Sequence, residues 1–432
     1  MNYADDCINT FPTLWSATVR EDDPSRPLDG DTTCDVAIIG AGYTGLSAAL
    51  VLAKGGASVR VIEGGYPGWG GSGRNSGAVI RGFKSSRSGL IREFGPQRGR
   101  AMADFGATTT DVVYDFISTY DIQCDLKRTG WILPAHNTAG LRRVEERQRT
   151  WTADGIGGLD MLSRDELTRM LGSSAYIGGM IDHEGASLNP LGYARGLARA
   201  ATAEGATVYR ETPAKGVSRK PQGWVVETSR GRVTASTVII AADAYSSGLN
   251  ASVERTMATI HTNIVATKPL PAALAAGILP GEQAVSDSRR ILYYWHKDPY
   301  GRVLFGTRGT LSGPRQAEDF AHVEAALAKI YPQLRGAEIE FRWSGKVGLT
   351  RDFLPHIDQP EPGLWTSHGY CGRGVAMASA YGKLLGETIL QDRSQATLPV
   401  PNTPAPRMPP SPISDLGIVT VTQLYRVMDI FA

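Results

Sequence analysis

A strand, a glycine turn, a helix and a second strand follow one another near the start of the chain. Residues 35–39 (DVAII) are apolar and β-branched, which predicts a buried strand. They end at the glycine turn 40–45 (GAGYTG), after which the small and aliphatic residues 46–54 predict a helix. A second predicted strand, 58–62, ends at Glu63. This order predicts one βαβ unit and hence a fold that contains a parallel sheet.

The glycines of this turn predict a dinucleotide site. Gly40 permits the tight turn, Gly42 lets a pyrophosphate approach the backbone, and Gly45 lets helix and strand pack closely. The helix N-terminus adds N–H donors and a partial positive charge. Glu63 stands where a carboxylate accepts hydrogen bonds from a ribose diol. A second literal match, residues 68–73 (GWGGSG), has no strand before it and predicts a loop, so one bound dinucleotide is expected.

Charge and composition exclude several classes of protein. The 45 basic and 43 acidic side chains leave a net charge of +2, which is too small to hold a nucleic acid backbone. Seven histidines without HxH or HExxH spacing and four dispersed cysteines give no sequence support for a metal site or a disulfide framework. No stretch approaches the ~20 apolar residues that span a bilayer, and the first residues lack the apolar run of a signal peptide. A cytoplasmic globular protein without stable membrane insertion is expected.

Longer motifs extend the pattern beyond the glycine turn. GAGYTGLSAAL at 40–50 is followed by GWGGSGRNSG at 68–77. This pair resembles the flavin-dependent D-amino acid oxidase superfamily, and in particular its γ-glutamylputrescine oxidase-like branch. Asp243 and Asp358 stand where the branch usually has Asn and Gly. The resemblance continues in order through most of the chain, at residues 14–18, 237–246, 343–345, 350–352, 355–357 and 369–375.

The resemblance implies FAD as a non-covalently bound cofactor. Residues 375–390 predict a helix from their apolar spacing, and the resemblance implies that its N-terminus faces the pyrimidine edge of the flavin. Backbone near Val217 is implied to contact the adenine. The cofactor-binding residues implied in this way are Gly40, Gly42, Tyr43, Thr44, Gly45, Glu63, Gly71, Ser72, Arg74, Asn75, Ser76, Val217, Gly345, Gly369, Gly372, Gly374 and Val375.

The implied fold class is α/β, with an α+β substrate domain. A Rossmann-type FAD-binding domain is expected to interleave with a sheet-based substrate domain. The C-terminal residues 419–431 predict a helix that either docks on the protein or touches a membrane. The expected boundaries are 30–85, 190–250 and 345–392 for the FAD domain, 86–189 and 251–344 for the substrate domain, and 393–432 for the tail with its docking helix.

Aromatic side chains are the candidates for the substrate pocket. Residues 291–296 and 302–305 predict a hairpin, and its aromatic rings either wall the flavin or pack within the sheet. The candidate pocket residues are Trp343, Tyr294, His296 and Tyr370.

The resemblance also implies a reaction class. Members of the superfamily oxidise a carbon that bears nitrogen by hydride transfer to the flavin, and the resulting imine hydrolyses in water. Amino acid oxidases among them usually carry an arginine two residues after the glycine of WxGxR, where it clamps the substrate carboxylate. Here WSGKV puts Val347 at that position, and strand alternation predicts that Lys346 points to the opposite face.

A substrate without an α-carboxylate follows from this substitution. The expected activity is oxidation of a primary or secondary amine, γ-glutamylated or otherwise substituted, with O2 reduced to H2O2. One alternative is an amino acid oxidase whose clamp is rearranged, with Arg308 or Arg373 as the candidate arginine. Another is an amine dehydrogenase that passes its electrons to an acceptor other than oxygen.

Overall fold

The fold rests on two large sheets. A computed structural model describes residues 11–401, 404–410 and 413–431, and within them each of the two large sheets has eight strands. The helices are α1 (Leu14–Thr18), α2 (Tyr43–Lys54), α3 (Arg87–Phe94), α4 (Pro96–Ala107), α5 (Thr109–Thr119), α6 (Thr138–Ala153), α7 (Arg164–Leu171), α8 (Pro190–Ala203), α9 (Ala251–Glu254), α10 (Ala272–Ala276), α11 (Ala321–Ile330), α12 (Gly374–Leu390) and α13 (Ile413–Phe431).

The strands alternate between the two sheets along the chain. They are β1 (Thr32–Ile39), β2 (Val59–Ile62), β3 (Ala78–Val79), β4 (Trp131–Ala135), β5 (Leu159–Leu162), β6 (Gly178–Asp182), β7 (Ala186–Ser187), β8 (Thr207–Tyr209), β9 (Ala214–Lys220), β10 (Gly223–Thr228), β11 (Arg232–Ile240), β12 (Met257–Thr267), β13 (Ala284–Ser286), β14 (Tyr294–Lys297), β15 (Val303–Arg308), β16 (Ile339–Thr350), β17 (His356–Glu361) and β18 (Leu364–His368).

The first sheet contains the predicted βαβ unit. Its order is β17-β18-β11-β1-β2-β8, and β18, β11, β1, β2 and β8 run parallel. The hairpin of β9 and β10 joins it through β11. Both faces of the apolar end of β1 are buried. Val36 and Ile38 pack in the cluster that contains the helices, and Ala37 and Ile39 pack in a cluster formed mainly by strand residues. This is expected of a parallel strand that is covered on both faces. The βαβ prediction is confirmed, although α2 begins at Tyr43 rather than at residue 46.

Small residues let the helices of this layer approach one another closely. A Cβ on Gly45 would lie 2.0 Å from the carbonyl oxygen of Gly40, so α2 packs directly against the turn that precedes it. A Cβ on Gly382 of α12 would lie 2.3 Å from the carbonyl oxygen of Thr44 in α2. Neither position has room for a side chain, and the start of α2 is therefore fixed by backbone contacts on two sides.

The second sheet is mainly antiparallel and lies beside the carboxyl ends of the parallel strands of the first sheet. Its order is β16-β12-β15-β14-β13-β4-β6-β5, with only β13 and β4 parallel among the described pairs. Helix α11 packs near β12 and β15 over an apolar core. The predicted hairpin is confirmed as β14 paired with β15. These two layers give the mixed α/β class that the sequence predicts.

Segments return to each sheet several times, as an interleaved arrangement requires. Residues 32–62, 207–240 and 356–368 supply the first sheet, whereas residues 131–182, 257–308 and 339–350 supply the second. Strand β16 runs across the boundary expected at residue 345, and it pairs with β12 from residue 339 to residue 350. The exact domain limits stay a prediction.

Candidate active site

A long cavity of about 760 Å³ runs between the two sheets. It begins at the carboxyl end of β1, passes the end of β16 and the start of α12, and is bordered by residues of α13. A site at the carboxyl edge of a parallel sheet is the usual ligand position in such folds. The volume lies within the range of natural ligand cavities.

The glycine turn forms one end of this cavity. Gly40 has φ +108, a conformation that only glycine adopts without strain. Helix α2 begins after Gly42, which has no side chain to cap it, and its first turn holds no acidic residue. The Tyr43 amide donates to Ser72, so the partial positive charge and the next amides of this turn are what an anion meets. Together with the close approach that Gly42 allows, this donor set fits the pyrophosphate of FAD.

Glu63 lies at the end of β2 and faces the same turn. Its two carboxylate oxygens accept hydrogen bonds from the backbone amides of Ala41 and Gly65, each at 2.8 Å. Burial raises the pKa of the Glu63 carboxyl, while the backbone amides act in the opposite direction. A carboxylate has about four acceptor sites and the amides of Ala41, Gly64 and Gly65 act on this one, so it can also accept a hydrogen bond from a ribose hydroxyl.

The second glycine loop folds back onto the start of α2. The Ser72 hydroxyl accepts a hydrogen bond from the Tyr43 amide at 3.0 Å. The Asn75 side-chain amide donates to the Tyr43 hydroxyl at 3.2 Å and to two carbonyl oxygens of its own loop. These bonds hold the loop, which contains a short 3₁₀ turn at residues 71–73, against the cavity. The loop thus supplies a second wall for a bound dinucleotide.

The start of α12 forms a third wall. Asp243 has φ +42, and its carboxylate accepts a hydrogen bond from the Gly369 amide at 2.7 Å. Burial raises the pKa of Asp243, and the amides of Gly369, Ala244 and Gly348 oppose this rise. A carboxylate accepts these backbone bonds as the asparagine usual in the branch would, so the substitution keeps the two loops together.

Most of the predicted cofactor residues line the cavity, and five do not. Gly45 lies beneath the turn, where it sets the helix–strand distance. Those that line it are Gly40, Gly42, Tyr43, Thr44, Glu63, Gly71, Ser72, Asn75, Ser76, Gly372, Gly374 and Val375. Those that do not are Gly45, Arg74, Val217, Gly345 and Gly369.

Arg74 and Gly345 support the wall from behind. The Arg74 guanidinium donates to the carbonyl oxygens of Trp69 at 2.9 Å and Ser344 at 3.3 Å, which ties the second glycine loop to β16. A Cβ on Gly345 would lie 3.2 Å from the Cβ of Arg74, so this glycine makes room for that contact. The guanidinium of Arg74 is used by backbone carbonyls, and the contact of either residue with the cofactor stays a prediction.

Val217 and Gly369 also lie off the cavity. Val217 sits in the middle of β9 opposite Val226 and packs on the apolar cluster around it. Ala214, at the start of the same strand, lines the cavity instead. Gly369 has φ +88 and acts through its hydrogen bond to Asp243.

Two of the four candidate pocket residues line the cavity, namely Tyr294 and Tyr370. Trp343 and His296 do not line it. Trp343 is fully buried, and its indole N–H donates to the carbonyl oxygen of Arg74 at 2.9 Å. His296 is also buried, and its Nε2 lies 2.7 Å from the carbonyl oxygen of Ser76. Both rings lie beneath the second glycine loop, whose carbonyl oxygens accept their hydrogen bonds. Strand alternation does not separate them from the cavity, since His296 shares a strand face with Tyr294 and Trp343 shares one with Val347.

Several cavity residues were missed by sequence reasoning. Lys84 follows β3, and burial lowers its pKa. Lys346 lines the cavity next to Val347, and its Nζ lies 5.4 Å from the centre of the Tyr245 ring. Further missed residues include Arg290, Ile418, Val421 and Tyr425.

A buried histidine lies close behind this site. Thr256 donates its hydroxyl hydrogen to the carbonyl oxygen of Val253 at 2.8 Å, so its oxygen accepts from His368 Nε2 at 3.0 Å. His368 Nδ1 is then the bare nitrogen, and it is buried without a hydrogen-bond partner among the described residues. Burial lowers the pKa of His368 from 6.5 to about 3, since protonation would place an unpaired charge in the interior.

The buried His368 predicts loss of stability in mild acid. The pKa of His368 is lower in the folded than in the unfolded chain. The free energy of unfolding is therefore highest above pH 6.5, where the imidazole is neutral in both states, and it falls as the pH falls towards 3. Between pH 7 and pH 5 the free energy of unfolding should fall by about 2 kcal/mol through this group. His368→Gln should flatten this part of the profile in urea unfolding, whereas His183→Gln at an exposed site should not. Equal pH profiles for the wild type and His368→Gln would contradict the assignment.

The described residues include neither a metal-binding cluster nor a membrane-spanning helix. Among them, no group of three or more His, Cys, Asp or Glu side chains is arranged to hold a metal ion. No described helix is long and apolar enough to cross a bilayer.

The fold and cavity define a dinucleotide-binding protein of the Rossmann type, and comparisons with known proteins identify its family. The family described as FAD dependent oxidoreductase matches residues 35–388. The chain therefore belongs to this family, and its cofactor is FAD. The resemblance stated from the motifs and the predicted α/β fold class are confirmed.

Relatives match over nearly the whole chain. The chain is 31% identical to the gamma-glutamylputrescine oxidoreductase of Escherichia coli, over 91% of this chain and 93% of that protein. It is 30% identical to a probable oxidoreductase, OrdL, of Haemophilus influenzae, over 93% and 94% of the two chains. Among solved structures, the glycine oxidase of Geobacillus kaustophilus superposes with a TM-score of 0.72 at 23% identity, over 87% of this chain and 100% of that chain. The L-proline dehydrogenase of P. horikoshii gives a TM-score of 0.71 at 20% identity, over 85% and 95%. At these identities the two structures support the fold alone.

Proposed function

We propose that this chain oxidises the C–N bond of a primary or secondary amine that lacks an α-carboxylate, such as a γ-glutamylated or otherwise substituted alkylamine. The substrate carbon gives up a hydride, the resulting imine is hydrolysed to an aldehyde and an amine or ammonia, and O2 is reduced to H2O2. The E. coli relative, named for γ-glutamylputrescine, supports this substrate class.

The position of Val347 in the cavity lining is the observation on which the proposal rests. It lines the cavity at the position where amino acid oxidases of the superfamily usually have the arginine that binds the substrate carboxylate. An isopropyl group offers no hydrogen bond to a carboxylate, and burying that charge against it would be costly. The site is therefore better suited to an amine whose reacting carbon bears no carboxylate.

The cavity favours the neutral amine that can lose a hydride. Among the described residues that line it, six are basic and two are acidic, Glu63 and Asp243. This excess of positive charge lowers the pKa of an amine bound there, although the pyrophosphate of FAD offsets part of it. FAD supplies the redox chemistry by accepting the hydride.

Tyr294 and Tyr370, two of the tyrosines that line the cavity, act as walls rather than as proton donors. The Tyr370 hydroxyl lies 2.6 Å from the Thr44 hydroxyl and 2.9 Å from the Ser367 hydroxyl, so its hydrogen-bonding capacity is used within the protein. Burial raises the pKa of Tyr370 and of Tyr294 well above the ordinary value. Both rings remain neutral and exclude water from the reacting carbon.

An amino acid oxidase with a rearranged clamp is the second candidate function. It is favoured by one observation, that Arg308 and Arg373 both line the cavity. Arg373 is partly committed, since its Nη1 donates to the carbonyl oxygens of Arg81 and Gly82 at 2.8 and 3.2 Å.

Oxygen consumption tests the oxidase chemistry. With a γ-glutamyl alkylamine as substrate, the purified holoenzyme should form aldehyde and H2O2 in equal amounts, and catalase should halve the net oxygen uptake. Turnover that requires an added quinone or dye, with no peroxide, would contradict the use of oxygen and would identify a dehydrogenase.

A further inference from the structure

The C-terminal helix α13 presents one face to the cavity. Its cavity-lining residues recur every three to four positions, as expected for one side of a helix. The stretch from the first to the last of them is about 18 Å long at 1.5 Å per residue. The residues are Ile413, Ser414, Gly417, Ile418, Val421 and Tyr425. A mainly apolar wall of this length borders a site longer than a small amine requires.

Two sets of bonds fasten this wall to the protein. The Asp429 carboxylate of α13 accepts hydrogen bonds from the backbone amides of Arg290 and Ile291, both at 3.0 Å. On the N-terminal side of the helix, the Met408 amide donates to the carbonyl oxygen of Arg255 at 2.7 Å. Helix α13 is thus held against the loop between β13 and β14, which leads directly to Tyr294.

Arg290 lies at the junction of this loop and α13, and it lines the cavity. Its guanidinium carbon is 5.8 Å from the centre of the Tyr425 ring. Its Nη1 is 3.9 Å from Asp429 Oδ1, which is too long for a hydrogen bond. Because Asp429 gives its oxygens to backbone amides, the guanidinium is oriented by the ring and the nearby charge without forming a bidentate pair.

A guanidinium held in this way suits a carboxylate of the substrate. Arginine binds carboxylates through two parallel N–H···O bonds, and an anion is further favoured by the basic excess of the cavity lining. The glycine turn that fits the cofactor pyrophosphate belongs to the first sheet, whereas Arg290 belongs to a loop of the second. Arg290 is therefore available to a second anionic group.

We infer that α13 forms the outer wall of the substrate site and that Arg290, oriented by Tyr425 and Asp429, binds a carboxylate at the end of the substrate remote from the reacting amine. The inference rests on the proposed amine oxidation. It adds the location of a remote acidic group, a residue that selects it, and a helix that sets the length of the site.

A matched pair of substrates tests the role of Arg290. The first is γ-glutamylputrescine, and the second is the same molecule with its free carboxylate replaced by a carboxamide. In the wild-type holoenzyme, kcat/KM should be about 10- to 100-fold higher for the carboxylate. Arg290→Gln should remove this preference by lowering kcat/KM for the carboxylate substrate alone, and Arg290→Lys should restore part of it. The exposed Arg142→Gln should retain the wild-type preference.

The outcomes separate the inference from the function on which it rests. Equal kcat/KM for both substrates in the wild type, or an equal loss for both in Arg290→Gln, would overturn the inference and leave amine oxidation intact. Failure of the wild type to oxidise any amine whose reacting carbon bears no carboxylate would overturn the proposed function itself.

Two valines on opposite sides of α13 test the wall. Val421 lines the cavity and Val419 does not, yet their exposed fractions are similar, 43% and 45%. Val421→Trp should lower kcat/KM for γ-glutamylputrescine roughly tenfold more than for the shorter butylamine, because the indole would occupy the distal part of the site. Val419→Trp should leave the ratio of kcat/KM for the two substrates as it is in the wild type. An equal ratio of kcat/KM for the two substrates in both variants would overturn the wall assignment.

Discussion

Gly45→Ala should yield a protein that loses its FAD on purification. A Cβ at this position would lie 2.0 Å from the carbonyl oxygen of Gly40, which is a backbone atom and cannot move aside as a flexible side chain could. Helix α2 would have to move away from β1, which would displace its N-terminal amides from the pyrophosphate site. We expect roughly 100-fold weaker FAD binding, equivalent to about 2.8 kcal/mol, and a lower free energy of unfolding by about 1–3 kcal/mol.

The ratio of flavin to protein absorbance measures the effect of this substitution, and urea unfolding measures its cost in stability. Gly216→Ala is the matched control, since a Cβ on Gly216 of β9 would have no atom within 4 Å and its φ is not positive. This control should keep a full complement of FAD. Retention of FAD by Gly45→Ala with wild-type affinity would show that the close packing of helix and turn does not hold the cofactor.

Asp182→Asn should be among the most destabilising single substitutions in the chain. The Asp182 side chain is 1% exposed, and it pairs with Arg81 through two bonds of 2.8 and 3.0 Å. Asp182 also acts on two neighbouring arginines, since its charge raises the pKa of Arg147 and of Arg373, for both of which burial is the larger and opposite cause. One carboxylate therefore compensates three guanidinium groups.

Removing this carboxylate leaves buried positive charge without a partner. The free energy of unfolding should fall by about 3–5 kcal/mol, as when one member of a buried pair is deleted. Glu227→Gln in the exposed pair with Arg232 is the control and should cost less than about 1 kcal/mol. Similar costs for the two substitutions in urea unfolding would contradict the proposed role of Asp182.

The cofactor end of the site could be predicted from the sequence because its residues act through local backbone geometry. The turn at 40–45, Glu63 and the start of α12 are each defined by a short motif next to a strand or helix end, and the structure brings them to one cavity. Val347 could be placed for a similar reason, since it lies at a fixed offset from Gly345 within β16.

The substrate end could not be predicted in the same way, because it depends on side-chain direction and on contacts distant in sequence. Trp343 and His296 occur on predicted strands, but only the fold shows that the second glycine loop, distant in sequence, covers their rings. Helix α13 was predicted, yet its sequence is apolar on more than one face. Leu416 and Leu424 are 70% and 54% exposed while Ile418 and Tyr425 line the cavity. The proximity of Arg290 to Asp429, 139 residues apart, leaves no local signal.

Anaerobic reduction of the bound flavin tests most directly whether the substrate is an amine whose reacting carbon bears no carboxylate. The holoenzyme would be titrated under nitrogen with γ-glutamylputrescine, simple alkylamines, glycine, sarcosine and D-amino acids while the flavin absorbance is followed. Stoichiometric bleaching by the γ-glutamyl amine, with amino acids reacting at least roughly 100-fold more slowly, is the expected result. Bleaching by amino acids alone would contradict the role assigned to Val347 and would direct attention to Arg308 and Arg373 as the carboxylate clamp.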